Sequence, residues 1–486
     1  MRPGSGRIAR VRVALGPLTA WLGRPLASFH LVLAVFGLLT GIGLVMVASA
    51  SSVASVQNYG TSVYSLFKKQ LAFALLGLVV FWLGMRVSLH RIRALSGPVV
   101  TASVVALLLV LSPLGHAASG SGRWFTIGPI SIQPVEVAKL SLALWGAHVL
   151  VNKKAVLHQY RHLLVPVVPV ALLLFTLVIL EPDLGSTITL GVVLIALLWF
   201  VGAPLRLFAV ILAGAAGALA VLAISAPYRL QRVLSFLRPG ADTSNASYQA
   251  NQSLYALGNG GLWGQGLGTG SAKYGYLPNV QTDFIFALIG EELGFIGCAL
   301  ILGLFAMVAV VGMRIAARNI DPWNRLVAAT LTSWLVAQAA INIGYVVGLL
   351  PVTGIPLPMI SYGGSSLVIT MLVFGILANL ARHEPEAVAA LRGIGPGRVG
   401  GLLNLPPPEV YQPPTRRKPV RPSAPRAGGR PAAPRRGSAG ASVEERRRST
   451  AADRRRMAGR GGAERWAPGR HGSGRASGRA ADGGSR

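Results

Sequence analysis

Ten separate stretches of this chain are apolar and long enough to cross a hydrocarbon core of about 30 Å. That repetition constrains the fold more than anything else in the sequence. The runs are 30–52, 69–87, 96–114, 134–151, 163–181, 184–202, 205–226, 283–313, 325–350 and 363–382. Backbone groups in hydrocarbon must be satisfied within their own segment, so runs of this length read as α-helices. Composition agrees, since 52% of residues are hydrophobic and only 13% charged, which excludes a soluble multidomain chain. The expected fold class is an all-α polytopic membrane protein. It has ten transmembrane helices, a long outer loop between the seventh and eighth, and a disordered basic C-terminal tail.

The organisation follows: a cytoplasmic segment 1–29, a transmembrane domain 30–383 containing the loop 227–282, and a tail 384–486. Arg2, Arg7, Arg10, Arg12 and Arg24 precede the first apolar run. No small-residue cleavage site precedes the next span, so that run reads as an uncleaved helix rather than a signal peptide. The net charge of +30 suggests nucleic acid until it is located. Of the 46 Lys and Arg residues, 23 lie from Arg382 to Arg486, outside the apolar body. A polycation beneath a membrane is drawn to anionic lipids or acidic proteins, and no nucleic-acid site is implied. The one cysteine, Cys298, cannot form an internal disulfide.

Lys and Arg in short loops set orientation. With both termini cytoplasmic, inner connections carry Arg86, Arg91, Arg93, Lys153, Lys154, Arg161, Arg206, Arg314, Arg318 and Arg325, whereas outer ones hold Lys68, Lys69 and Arg123. Eight acids precede residue 384, and seven of them (Glu136, Glu181, Asp183, Asp242, Asp283, Glu291 and Glu292) fall on the outer side. Solvation alone does not place acids on one side only, so an outward-facing polar site is expected.

Three outer segments carry that site. Tyr276-Leu-Pro-Asn-Val-Gln-Thr-Asp283 runs from a polar loop into an apolar helix, with Glu291 and Glu292 about two turns further in. Asp283 reads either as a functional carboxylate or as a helix cap. Glu136 and Lys139 are three apart, so they either pair on one helix face or bind ligand. Leu350-Pro-Val-Thr-Gly-Ile-Pro-Leu-Pro-Met-Ile-Ser361-Tyr-Gly-Gly-Ser365 carries three prolines, which suits an irregular segment buried in protein. In the long loop, Tyr248 to Leu257 has a helical pattern. The glycines of 258–270 read as tight turns with close packing rather than a nucleotide fingerprint.

No metal-binding set, Ser-His-Asp arrangement or phosphate loop is visible. Carboxylates, a few cations and small polar groups remain, which suits proton abstraction and contact with an anionic head group.

These residues carry a resemblance. Gly122-Arg-Trp with Gln133-Pro-Val-Glu136-Val-Ala-Lys139, Glu181-Pro-Asp183-Leu-Gly-Ser-Thr, Tyr248-Gln with Gln252-Ser-Leu-Tyr-Ala, Gln281-Thr-Asp283-Phe-Ile-Phe-Ala with Gly290-Glu-Glu-Leu-Gly, and Pro356-Leu-Pro with Ser361-Tyr-Gly-Gly-Ser365-Ser resemble the SEDS family of shape, elongation, division and sporulation proteins. Leu349-Leu-Pro-Val-Thr-Gly354 and Ala381-Arg-His-Glu-Pro-Glu-Ala-Val-Ala-Ala-Leu391 resemble its actinobacterial division members more than its elongation members. The resemblance implies a peptidoglycan glycosyltransferase that polymerises lipid II on the outer face of the bacterial cytoplasmic membrane, at the division septum. Its implied partners are lipid II and polyprenyl-pyrophosphate-linked glycan, a class B penicillin-binding protein and other divisome proteins. Asp283 matches the family's essential aspartate and is the expected general base. Arg123 and Lys139 are expected at the pyrophosphate. Glu136, Glu181, Asp183, Gln252, Gln281, Glu291, Ser361, Gly363, Gly364 and Ser365 are expected to line the substrate cavity. A divalent cation, Mg or Mn, beside the pyrophosphate fits the chemistry, but no ligand spacing demands one. The competing functions are a lipid II flippase, an elongation polymerase, and a scaffold recruiting division proteins through its tail.

Overall fold

A computed structural model describes residues 23–57, 62–112, 116–118, 121–127, 130–153, 163–225 and 245–412. The helices are α1 (Ala27–Gln57), α2 (Ser65–Arg86), α3 (Leu89–Val110), α4 (Pro134–Asn152), α5 (Val167–Leu180), α6 (Leu184–Val201) and α7 (Leu205–Ser225), followed by α8 (Asn245–Gly260), α9 (Ile285–Arg318), α10 (Pro322–Val346), α11 (Gly364–Arg382), α12 (Pro385–Gly393) and α13 (Gly397–Leu402). Eight of these (α1–α4, α6 and α9–α11) are long and apolar enough to cross a membrane. The other two expected spans match α5 and the Leu205–Gly214 part of α7, which are shorter apolar stretches. Among the described residues, length and composition alone thus mark eight crossings, and α5 and α7 bring the count to ten only if these shorter apolar helices cross as well.

Successive spans reverse direction, so the bundle has two chemically different ends. The N-termini of α4, α6, α9 and α11 open at one end with Glu136, Asp183 and Asp283, called the carboxylate end below. Arg86, Arg93, Arg206, Arg314, Arg318, Arg325 and Arg382 gather at the other, the basic end. Helices α4, α10 and α11 are the most buried, whereas α2 and α3 leave most of their surface outward. The interior is continuous and apolar, built on residues such as Leu39, Phe81, Leu142, Val193, Ile289, Trp334 and Phe374.

Two features depart from the sequence expectation. The connection between α3 and α4 is not simple coil. It holds a three-stranded antiparallel meander of β1 (His116–Ala118), β2 (Ser121–Ile127) and β3 (Ile130–Ile132), in which Phe125 pairs with Ile132 and Ile127 with Ile130. The alternation around Trp124-Phe-Thr-Ile carried that signal. The packed body also extends past residue 383, and residues 384–412 are not tail. After α12 and α13 the chain runs extended to Gln412, with Leu405 buried. Trp82 donates to the Leu403 carbonyl (2.9 Å), Arg382 to that of Pro406 (2.7 Å) and Arg392 to that of Pro408 (3.1 Å). Prolines supply acceptors without amides, so arginines and an indole complete the pairing. The disorder expected further on falls on 413–486, outside the described residues, as do Asp242 and the first part of the long loop.

His383 joins this strap to the bundle. Its Nδ1 lies 2.9 Å from the Asn379 carbonyl, and its Nε2 accepts the Glu409 amide at 3.3 Å. That pair of contacts requires the neutral ring with its proton on Nδ1. The imidazole is held below its ordinary 6.5, mainly by burial and also by Arg382, against the opposing Asn379 bond, Glu409 and Asp321. Because the folded value is the lower one, the strap's stability is complete above about pH 6.5 and is lost as pH falls through the depressed value. Hydrogen exchange of 404–412, corrected for intrinsic rates, should speed up on acidification to pH 5. The change should be absent in His383→Gln.

Candidate functional site at the carboxylate end

The irregular segment between α10 and α11 organises the site. Residues 347–363 form no regular helix, yet Ile355, Leu357, Met359, Ile360 and Ser361 are buried. Their backbone groups need partners, and polar side chains on the spans provide them. Gln338 Nε2 donates to the Pro356 carbonyl at 3.0 Å. Asn342 Nδ2 and the Tyr345 hydroxyl each donate to the Ile355 carbonyl at 2.7 Å. From α2, Gln70 Nε2 donates to the Ser361 carbonyl (3.4 Å), and its Oε1 accepts the Gly363 amide (3.3 Å).

Asp283 is tied to the same clamp. Its backbone carbonyl accepts Asn342 Nδ2 and the Tyr345 hydroxyl, both at 2.9 Å. Two buried side chains thus staple the residue before α9 to the proline segment. Phe284, not Asp283, occupies the α9 cap position, and no side chain caps the helix there. The half-buried Asp283 side chain therefore stands one residue outside the helix. Gly354 faces it: a Cβ there would lie 3.6 Å from Asp283 Oδ2, and its φ is +72°. Left-handed backbone costs a non-glycine residue roughly 1–2 kcal/mol. Gly354→Ala should therefore lower thermal stability by about that amount and also lower turnover, since the methyl group would occupy space in van der Waals contact with the carboxylate, where a substrate hydroxyl must approach. Thermal unfolding and initial rates measured on one preparation check both.

The other expected residues separate into those that join this network and those that do not. Glu136 and Lys139 form a buried ion pair (2.9 Å, side chains 4% and 2% exposed). Lys139 also approaches Gln338 Oε1 (3.5 Å) and lies over the Trp334 ring (5.1 Å). Through Gln338 the pair reaches the Pro356 carbonyl. Lys139 is thus inside the protein rather than on a solvent rim. Asp183 caps α6, accepting Ser186 N (3.0 Å) and Oγ (2.7 Å), and also accepts Gln133 Nε2 (3.1 Å). The Gln133 amide in turn donates to Ser365 Oγ at 3.1 Å. Ser361 Oγ accepts the Leu357 amide (2.8 Å), and the Gln281 carbonyl accepts the Tyr362 amide (2.8 Å). Gly363 and Gly364 bring the chain into α11, and Glu181 is buried. Gln252, on α8, is half-buried and makes no hydrogen bond to this cluster among the described residues. Arg123 lies in β2, and its side chain is outside the described residues.

Glu291 and Glu292 serve a different structure. Helix α9 breaks at Gly294 (φ 67°, ψ −164°). The loop after α8 satisfies the freed groups: the Gln265 and Gly266 amides donate to the Glu291 and Glu292 carbonyls, and the Phe295 and Ile296 amides donate to those of Gly261 and Leu262. Glu291 accepts the Ser271 amide, the Ser271 hydroxyl and the Ala272 amide at 2.7–3.1 Å. Glu292 accepts Ser49 Oγ and pairs with the buried Lys273 ammonium (3.3 Å), which also donates to the Gly268 carbonyl. The glycine-rich stretch is therefore tight turns packed on a broken helix, as its composition suggested.

Sequence reading missed Gln70, Gln338, Asn342, Tyr345, Ser49 and Lys273. A signal was present in α10, where Trp334, Gln338, Asn342 and Tyr345 recur at spacings of four and three along one face. Polar groups at such spacing inside an apolar span mark a buried contact. Among the described residues no group of three or more His, Cys, Asp or Glu side chains is placed to hold a metal ion.

The cell cycle protein model of the FtsW, RodA and SpoVE proteins matches residues 29–386. The probable peptidoglycan glycosyltransferase FtsW of Mycobacterium tuberculosis is 48% identical over 413 residues, 85% of this chain and 78% of that protein. The stage V sporulation protein E of Bacillus subtilis is 40% identical, covering 71% of this chain and 95% of that one. Among solved structures, a chain from a peptidoglycan synthase complex that coordinates polymerization and crosslinking aligns over 73% of this chain and 97% of its own, with a TM-score of 0.60 at 27% identity. The rod shape determining protein RodA of Thermus thermophilus aligns over 73% and 96%, with a TM-score of 0.55 at 26% identity. The chain belongs to the FtsW, RodA and SpoVE family of cell cycle proteins.

Proposed function

We propose that this protein is a peptidoglycan glycosyltransferase of the division type, joining lipid II units into glycan strands at the carboxylate end of its bundle. One observation carries the reading. The Asp283 side chain lies just before the α9 cap position and beside Gly354, while its backbone is fixed by Asn342 and Tyr345. A carboxylate on a rigid mount suits a general base. It would take the proton from an acceptor sugar 4-hydroxyl as that oxygen attacks the anomeric carbon of the lipid-linked donor. The polyprenyl pyrophosphate leaves, and the field of Lys139, which is buried with Glu136 behind that end of the bundle, stabilises its charge. Positioning must supply the remaining acceleration.

The distribution of Lys and Arg supports cytoplasmic termini and an outward-facing site. The 48% identity to mycobacterial FtsW supports a septal role. The neighbouring synthase complex, which both polymerises and crosslinks, supports a class B penicillin-binding protein as partner. A flippase needs polar groups reachable from both faces, whereas the clustered acids and buried clamp lie at one end. The test is reconstitution of the purified protein in liposomes with fluorescent lipid II, with and without the cognate transpeptidase. Glycan strands are expected. Headgroup transfer across the bilayer without strands overturns the proposal.

A further inference from the structure

A cavity of about 410 Å³ opens on the side of the bundle at the basic end, away from the carboxylate cluster. The ends of α4, α6, α9 and α10 form its walls. Among the described residues its lining is apolar, with Leu150, Phe200, Met313, Leu326 and Ala329, and carries one charged group, Arg325. Phe200 and Ala317 are exposed, so the cavity meets whatever surrounds the protein at this level.

Arg325 is exposed, and among the described residues its guanidinium has no hydrogen-bond or ion-pair partner. The nearest acid in sequence, Asp321, instead uses its carboxylate to cap α10 through the Trp323 amide (2.8 Å). The cavity therefore offers an apolar pit with an uncompensated positive charge at its mouth, at the end of the membrane-spanning helices.

We propose that this cavity binds one phospholipid of the adjoining leaflet, with an acyl chain in the pit, the phosphate on Arg325 and a preference for an anionic headgroup. A guanidinium pairs with phosphate through charge-assisted, often bidentate bonds. Basic pockets between transmembrane helices are suited to anionic lipid heads. The volume is that of a ligand pocket. A partner helix would need an apolar stripe along several turns, and an acidic peptide would need polar partners that the walls lack among the described residues. The proposal rests on the chain spanning a membrane and is independent of the catalytic reading.

The experiment is native mass spectrometry of the full-length protein released from nanodiscs of mixed phosphatidylglycerol and phosphatidylcholine. Arg325→Gln and Ala329→Trp are measured beside the parent. One retained phosphatidylglycerol is expected, favoured over phosphatidylcholine by tenfold or more. Arg325→Gln should remove the preference, and Ala329→Trp should remove retention of both lipids. Equal retention of the two lipids by the parent overturns the proposal, as does unchanged phosphatidylglycerol retention in Arg325→Gln. Thermal unfolding checks that Ala329→Trp is folded; if it is not, the Arg325→Gln comparison decides alone.

Discussion

Asp283→Asn should reduce glycan polymerisation by about 10²–10⁴-fold, the range that general-base catalysis contributes, while leaving the protein as stable as the parent. The two halves of that expectation come from different atoms of one residue. What holds the loop before α9 is the Asp283 carbonyl, bonded by Asn342 and Tyr345 at 2.9 Å, and the substitution does not touch it. What the amide removes is a proton acceptor of sufficient basicity, at nearly unchanged volume. Asn342→Leu separates the two roles in the opposite sense. It leaves the carboxylate but takes a donor from the Asp283 and Ile355 carbonyls, and an unmet buried acceptor costs about 1–3 kcal/mol. Strand length by gel electrophoresis and thermal unfolding, measured on both variants, distinguish them. Normal strand accumulation by Asp283→Asn would show that Asp283 is not the base.

The spans, the short helix in the long loop and the one-sided acids were legible because each has a one-dimensional signature. Apolar length gives the helices, the spacing from Tyr248 to Leu257 gives α8, and charge sign in short loops gives the two ends. Asp283, Glu136 and Lys139 were legible as a group only because intramembrane charge is rare enough to notice. Other features depend on distance in space rather than along the chain. The pairing of Gln338 with Pro356 spans 18 residues, and that of Gln70 with Ser361 spans 291. A glutamine in an apolar run does not announce which carbonyl it will meet. The meander was not legible as a whole, because the three-residue strands β1 and β3 carry almost no periodicity and only the seven-residue β2 held a signal. The strap 404–412 was lost to composition, since prolines look disordered until arginines are placed beside their carbonyls. Glu291 shows the converse. Its acidity was visible and its depth was right, yet its partners Ser271 and Ala272 belong to a turn that only the folded loop creates.

Lys139→Met should be among the most damaging single changes, lowering stability by about 3–5 kcal/mol, because it strands the Glu136 carboxylate in the interior. Both side chains are almost completely covered, and they meet at 2.9 Å, so neither water nor salt can replace the missing ammonium. Neutralising both partners removes that penalty. The double variant Glu136→Gln, Lys139→Met should regain most of the lost stability, since a buried pair replaced by neutral groups of similar volume is often tolerated. Polymerisation should nevertheless stay low in the double variant. Lys139 is the buried cation that Gln338 joins to the Pro356 carbonyl and hence to the segment facing Asp283, and an anionic leaving group needs a positive charge at that wall. Thermal unfolding and strand synthesis on the two single variants and the double form a closed cycle. Recovery of both stability and synthesis would reduce the ion pair to a scaffold. Recovery of stability alone places the charges of the Glu136–Lys139 pair in the reaction.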